Sequence, residues 1–157
     1  MILILLRDLI FAACLGVIFF DDLSRMVIPR RIVLPMILFA FLLNSLAGFV
    51  SIWSMVLGAW ALGSFFWIQR AVSKGKWIGA GDVGMGVLVG TMLGFLNGLL
   101  ALFLAYSVGA IVCSVLLLIG KIKRGDKVPF GAFLSIGALV ALVFGHEIIN
   151  WYLGFFA

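Results

Sequence analysis

Asp22 and Asp82 are the residues of this chain whose type and setting point to chemistry. The sequence holds six acidic residues in 157. Asp22 ends the first apolar run, and Asp82 closes a small-residue turn, Gly79-Ala80-Gly81-Asp82, at the start of a later run. A carboxylate beside lipid is costly and usually has a task. Two carboxyls held close together do not both ionise easily, so one keeps a proton while the other serves as a base. The base activates a water, and the acid protonates a scissile carbonyl or a leaving amine. No loop offers a nucleophilic Ser or Cys with a partner His, because the single histidine, His146, lies near the opposite end of the apolar runs. Structural roles remain open beside the chemical one: Asp82 at a helix start can act as an N-cap, and Asp22 can pair with Arg25 in the following loop.

The elements that must bring these acids together are set by composition. The chain is 66% hydrophobic and 11% charged, where a soluble domain carries about 25% charged residues. Lipid is therefore the solvent, and helices satisfy their own backbone hydrogen bonds in it. The alternation of a membrane barrel is missing. Six apolar runs can be placed, at 2–20, 32–50, 52–69, 83–97, 99–120 and 130–153. The expectation is an all-α polytopic membrane protein of about six transmembrane helices, residues 1–157 forming one integral-membrane domain. Gly84, Gly86, Gly90 and Gly94 in the fourth run are expected to let helices approach closely. The first run ends in Asp21-Asp22 without small cleavage-site residues, so it is expected to be a span and not a removed signal.

Charge sets the orientation. The loops after runs one, three and five hold every Lys and Arg except Arg7: Arg25, Arg30 and Arg31, then Arg70, Lys74 and Lys76, then Lys121, Lys123, Arg124 and Lys127. The connections around Gly48–Ser51 and Asn97-Gly98 hold none. The positive-inside rule then makes the basic side cytoplasmic and both termini external, and puts Asp22 and Asp82 on that cytoplasmic face. The net charge of +5 is mainly a topology signal, with attraction to anionic membrane lipids as a second consequence. Basic residues spread over three short loops do not suit nucleic acid. At the far end, Arg7, Asp8, His146 and Glu147 read as ion pairs across helices, for example Arg7 with Glu147. Alternatively they form the polar path of a small proton- or ion-coupled transporter. Cys14 and Cys113 sit inside apolar runs as small hydrophobes, and no ligand spacing supports a metal site.

The helix dipole at the start of the fourth run favours a carboxylate there, which makes Asp82 the better candidate for the base. Gly79 and Gly81 permit close backbone approach, which suits an extended substrate lying against the turn.

The segment Asp22-Leu23-Ser24-Arg25-Met26-Val27-Ile28-Pro29 resembles the first aspartate box of the type IV prepilin peptidases, in which a catalytic Asp precedes an apolar-Pro pair at this distance. Gly79-Ala80-Gly81-Asp82 resembles their second box, the GxGD motif, and Val128-Pro129-Phe130-Gly131-Ala132-Phe133 resembles a third family segment opening the last span. The order of the three boxes and the six-helix pattern agree along essentially the whole chain. The resemblance implies an aspartic endopeptidase with Asp22 and Asp82 as its catalytic residues. Gly79, Gly81, Pro29, Pro129, Phe130 and Gly131 would be its supporting residues. Asp21 lacks the matching distance to Pro29 and reads as a neighbour that tunes Asp22. Gly84 stands where many members carry a basic residue.

By the same resemblance the substrates are prepilin-like or pseudopilin-like proteins. Their basic leader is cut at the cytoplasmic face of the inner (plasma) membrane of a prokaryote. Longer members add a cytoplasmic part with paired cysteines that N-methylates the product. This sequence carries no such part, so a peptidase-only enzyme without zinc or another cofactor is expected. The alternative from a different class is a catalytically inactive membrane subunit of a pilus or secretion assembly.

Overall fold

Apolar runs of this length close their backbone hydrogen bonds within each segment, and the computed structural model is all-helical. It describes residues 2–123 and 125–155, so Arg124 lies outside the described residues. The helices are α1 (Ile2–Arg25), α2 (Arg30–Ala47), α3 (Ile52–Val72), α4 (Ala80–Leu118) and α5 (Phe130–Leu153). Each is long and apolar enough to cross a membrane. Their outer faces carry large exposed apolar side chains such as Leu46, Trp60 and Phe103, as expected where lipid replaces water as solvent.

Five helices are assigned where six runs were expected, because the fourth and fifth runs are joined in α4 across a kink. The break lies at Gly94, ahead of the expected Asn97-Gly98 turn. Gly94 adopts φ 77° and ψ −175°, a region essentially reserved for glycine. Beyond it the helix turns back on itself: Gly98 packs against Gly90 and Leu62, and Tyr106 reaches Gln69 on α3.

The backbone groups freed at this reversal are taken up by side chains of other helices. The buried Asn44 amide on α2 donates to the carbonyls of Thr91 (3.1 Å) and Met92 (3.2 Å). Ser54 Oγ on α3 accepts from the N–H of Phe95 at 2.9 Å. These groups would otherwise be unpaired at helix ends, which is costly where no water is at hand.

Small residues set the packing distance, as the glycine spacing led us to expect. α3 and the first segment of α4 meet with Gly58 against Gly90, and Gly86 leaves room for the Phe66 ring. Gly137 on α5 fits against Ala101 and Ala105 of the second α4 segment. α4 is thus the central element, touching α2, α3 and α5, while α1 closes the bundle against α5. Chain direction alternates through these contacts, so the 26–29 and 73–79 connections gather at one end with the end of α4 and the start of α5.

The far-end charges pair differently from the expectation. Arg7 bonds its neighbour Asp8 at 2.7 Å, reaches Asn44 Oδ1 at 3.4 Å and lies over the Phe49 ring at 4.8 Å. His146 contacts Asn150 on its own helix and Glu147 is exposed. Arg7 therefore does not pair with Glu147, and no hydrogen bond or ion pair among the described residues joins Arg7 or Asp8 to His146 or Glu147. Arg7 is already occupied on the α1–α2 side of the bundle.

Candidate active site

Each candidate side chain is placed by the way its helix starts or stops. α1 ends at Arg25, and Met26 takes a positive φ of 52° while its N–H still reaches the Asp22 carbonyl at 2.8 Å. This turn sends the chain to Pro29, the N-cap of α2, with φ −73°. Proline fits a helix start because its fixed φ is preset for it and its missing N–H is not needed. Between them, Ile28 is buried. A Cβ on Gly81 or on Gly131 would lie 2.8 Å from an Ile28 carbon. Both glycines therefore make room for one isoleucine, and that contact joins the starts of α4 and α5 to the end of α1.

Asp82 is the third residue of α4, not its N-cap; that position belongs to Gly79. Asp82 Oδ2 reaches back to accept from the Gly79 N–H at 2.8 Å, which is the acidic half of a capping box. Asp22 is almost fully buried, at 4% exposure. Its Oδ2 accepts from the backbone N–H of Ala132 at 2.9 Å, and Arg25 does not pair with it within the described residues. The sequence placed only Asp82 at a helix start. The fold places Asp22 at one as well, because Ala132 lies in the first turn of α5, where backbone N–H groups have no helical partner.

The third segment leads into α5. Pro129 is the N-cap of α5, with φ −71°. Phe130 turns its ring to Tyr106 (4.8 Å between centroids) and Phe66 (5.5 Å). Gly131 leaves space for Asp22, whose Oδ2 would lie 2.9 Å from a Cβ there. Ala132 supplies the N–H.

Asp22 and Asp82 line one cavity of about 420 Å³ at this end of the bundle, with Met26, Gln69, Tyr106 and Phe130 also in its wall. Lys76, Asp126 and Lys127 contribute from the loops. Asp21 is half-buried and is not among the residues lining the cavity. Successive helical residues point about 100° apart, so burying Asp22 turns Asp21 aside. Gln69 and Tyr106 were not singled out from sequence. Their signal was a polar side chain inside an apolar run, with Tyr106 Oη donating to Gln69 Oε1 at 3.0 Å. Two carboxyls facing one cavity, Asp22 buried and Asp82 partly exposed, can serve as base and acid toward a water held between them.

Comparison with known proteins agrees with the geometry. Residues 9–114, which include both aspartates, match the family model described as the type IV leader peptidase family. A prepilin leader peptidase/N-methyltransferase of Aeromonas hydrophila is 33% identical over 138 residues, covering 85% of this chain and 48% of the relative. The protein of the same name from Stutzerimonas stutzeri is 32% identical over 85% of this chain and 48% of its own length. That of Bacillus subtilis (strain 168) is 26% identical over 92% and 58%. The chain thus spans about half the length of the curated relatives it matches. No solved structure matches. From the extent of the family match, which carries both cavity aspartates, the chain belongs to the type IV leader peptidase family.

Proposed function

We propose that this protein is a membrane-embedded aspartic endopeptidase that removes the basic leader from type IV prepilin-like or pseudopilin-like proteins, with Asp22 and Asp82 as its catalytic pair. The observation that carries the proposal is that these two acids, from helices far apart in the chain, line one cavity. Family membership and the names of the bacterial relatives support the substrate class.

In the proposed reaction one carboxylate takes a proton from a water in the cavity. The water oxygen bonds to the scissile carbonyl carbon, and the other carboxyl, protonated at the outset, gives its proton to the carbonyl oxygen. The tetrahedral intermediate then collapses. Its C–N bond breaks, the amine leaves with a proton from the first carboxyl, and the second recovers its own. The Ala132 and Gly79 N–H groups hold one oxygen of each carboxyl in place, so the acids are oriented before substrate arrives.

The same proposal sets the topology. The chain crosses the bacterial inner membrane six times, α4 contributing two passes through its reversal at Gly94, with both termini external and the cavity cytoplasmic. Support comes from the alternating direction of the segments and from the basic residues around the cavity end, among them Arg25, Arg70, Lys76, Lys123 and Lys127. A leader on the cytoplasmic side of a substrate whose next segment is a membrane helix would meet the site there.

Co-expression with leader-bearing substrates, followed by mass spectrometry of the products, tests this function. The expected result is a single cut between the basic leader and the apolar segment that follows. Unprocessed substrate, or a product cut elsewhere, contradicts it.

A further inference from the structure

We propose that Gln69 and Tyr106 form a clamp for the substrate backbone beside the two carboxyls, gripping the N–H and C=O of one residue of the extended leader irrespective of its side chain. This rests on the peptidase reading above and adds the means by which the same site holds its substrate. The two residues come from α3 and from the second segment of α4, and both line the cavity that holds Asp22 and Asp82.

Their hydrogen-bonding capacity is only partly used. Tyr106 gives its one proton to Gln69 Oε1 at 3.0 Å, which leaves the phenol oxygen able to accept. Gln69 Nε2 makes a long contact of 3.5 Å to the Phe65 carbonyl, which leaves its amide able to donate. An acceptor and a donor held side by side match the N–H and C=O of one residue in an extended strand, which point to the same side. Their position is fixed relative to the acids. The Tyr106 ring stands 4.8 Å from Phe130 and 5.8 Å from Phe65, and Phe130 directly precedes Gly131, against which the Asp22 carboxylate rests. A wall that served only to pack would be met by Phe and Leu, without placing a phenol and an amide beside the two carboxyls.

The test uses the full chain with a leader-bearing substrate and the variants Tyr106→Phe, Gln69→Leu and the double variant, reading kcat, KM and melting temperature. Tyr106→Phe keeps the ring contacts and removes the hydroxyl. Each single variant is expected to lower kcat/KM about tenfold, the size of one lost hydrogen bond. The loss should fall mainly on KM, because a backbone grip acts on bound substrate and transition state alike. Melting temperature should hold, and the double variant, which loses both hydrogen bonds, should lose more than either single.

Wild-type kcat/KM in either single overturns the clamp. So do a double variant no worse than one single, and losses that follow a falling melting temperature. Asp22→Asn and Asp82→Asn are run in parallel. If they still cleave, the peptidase assignment fails; if they are inactive while Tyr106→Phe is unaffected, the clamp alone fails.

Discussion

Asp22 on the first helix accepts a hydrogen bond of 2.9 Å from the backbone N–H of Ala132 on the last. This contact joins the first and last helices at the cavity. It works because residue 131 is glycine: the bare Cα lets the carboxylate lie against the first turn of α5. Ile28 fills the neighbouring space between Gly131 and Gly81, so the position of Asp22 depends on residues drawn from all three sequence boxes.

Gly131→Ala should therefore displace the Asp22 carboxylate without removing it. The new Cβ would stand 2.9 Å from Asp22 Oδ2 and 2.8 Å from Ile28 Cδ1. A shift of about 1 Å at a reacting group can lower the rate by roughly 100-fold. Leader cleavage by the purified variant should fall by that order, with helix content retained. A wild-type rate would mean that the carboxylate position is not critical.

Activity should follow a bell-shaped pH profile. Water activation needs one carboxyl ionised and carbonyl protonation needs the other protonated, so activity falls when both are protonated and again when both are ionised. The two limbs belong to the pair, not to one residue each. Initial rates across the acid and neutral range check this. A rate that keeps rising toward alkaline pH, without a falling limb, counts against two-carboxyl catalysis.

The reversal at Gly94 should depend on Asn44. Asn44→Leu removes both side-chain bonds to Thr91 and Met92 and leaves those carbonyls short of a partner. The expected loss is about 2 kcal/mol of stability, read by thermal or denaturant unfolding in detergent. The lesion lies away from the cavity, so the folded fraction should keep its turnover number. Unchanged stability would show that the hairpin does not need this cap.

Gly90→Ala should destabilise through overpacking. Its Cβ would press into the Gly58 backbone on α3, and backbone has no flexible end to move aside. A loss of about 1–3 kcal/mol is expected, with Gly16→Ala as the comparison, since a Cβ there meets nothing within 4 Å. Equal stability in the two variants would contradict the close α3–α4 contact.

Particular residues show what the sequence could and could not reveal. All-helical character followed from apolar runs that must satisfy their own backbone. The GxGD turn and the Asp22-to-Pro29 spacing picked out two acids that do share a cavity. The reversal was foreseen at Asn97-Gly98 and occurs at Gly94, because hydropathy marks where polarity rises and not where a glycine can adopt a special φ and ψ. Depth alone allows a pairing such as Arg7 with Glu147, but Arg7's own neighbour Asp8 is within reach, and Asn44 adds a second contact. Gln69 and Tyr106 were overlooked since a single polar residue in an apolar run carries no spacing signal. Only the fold of α4 brings them together.

The central claim is that Asp22 and Asp82 act as one catalytic unit, and leader cleavage by Asp22→Asn, Asp82→Asn and the double variant tests it most directly. Each single substitution should reduce the rate at least 1,000-fold or so, and the double should be no slower than either single, as expected of groups that work only together. Folding, read by helix content, should be unchanged. Cleavage at the wild-type rate by either single variant, or losses that multiply in the double, would contradict the claim.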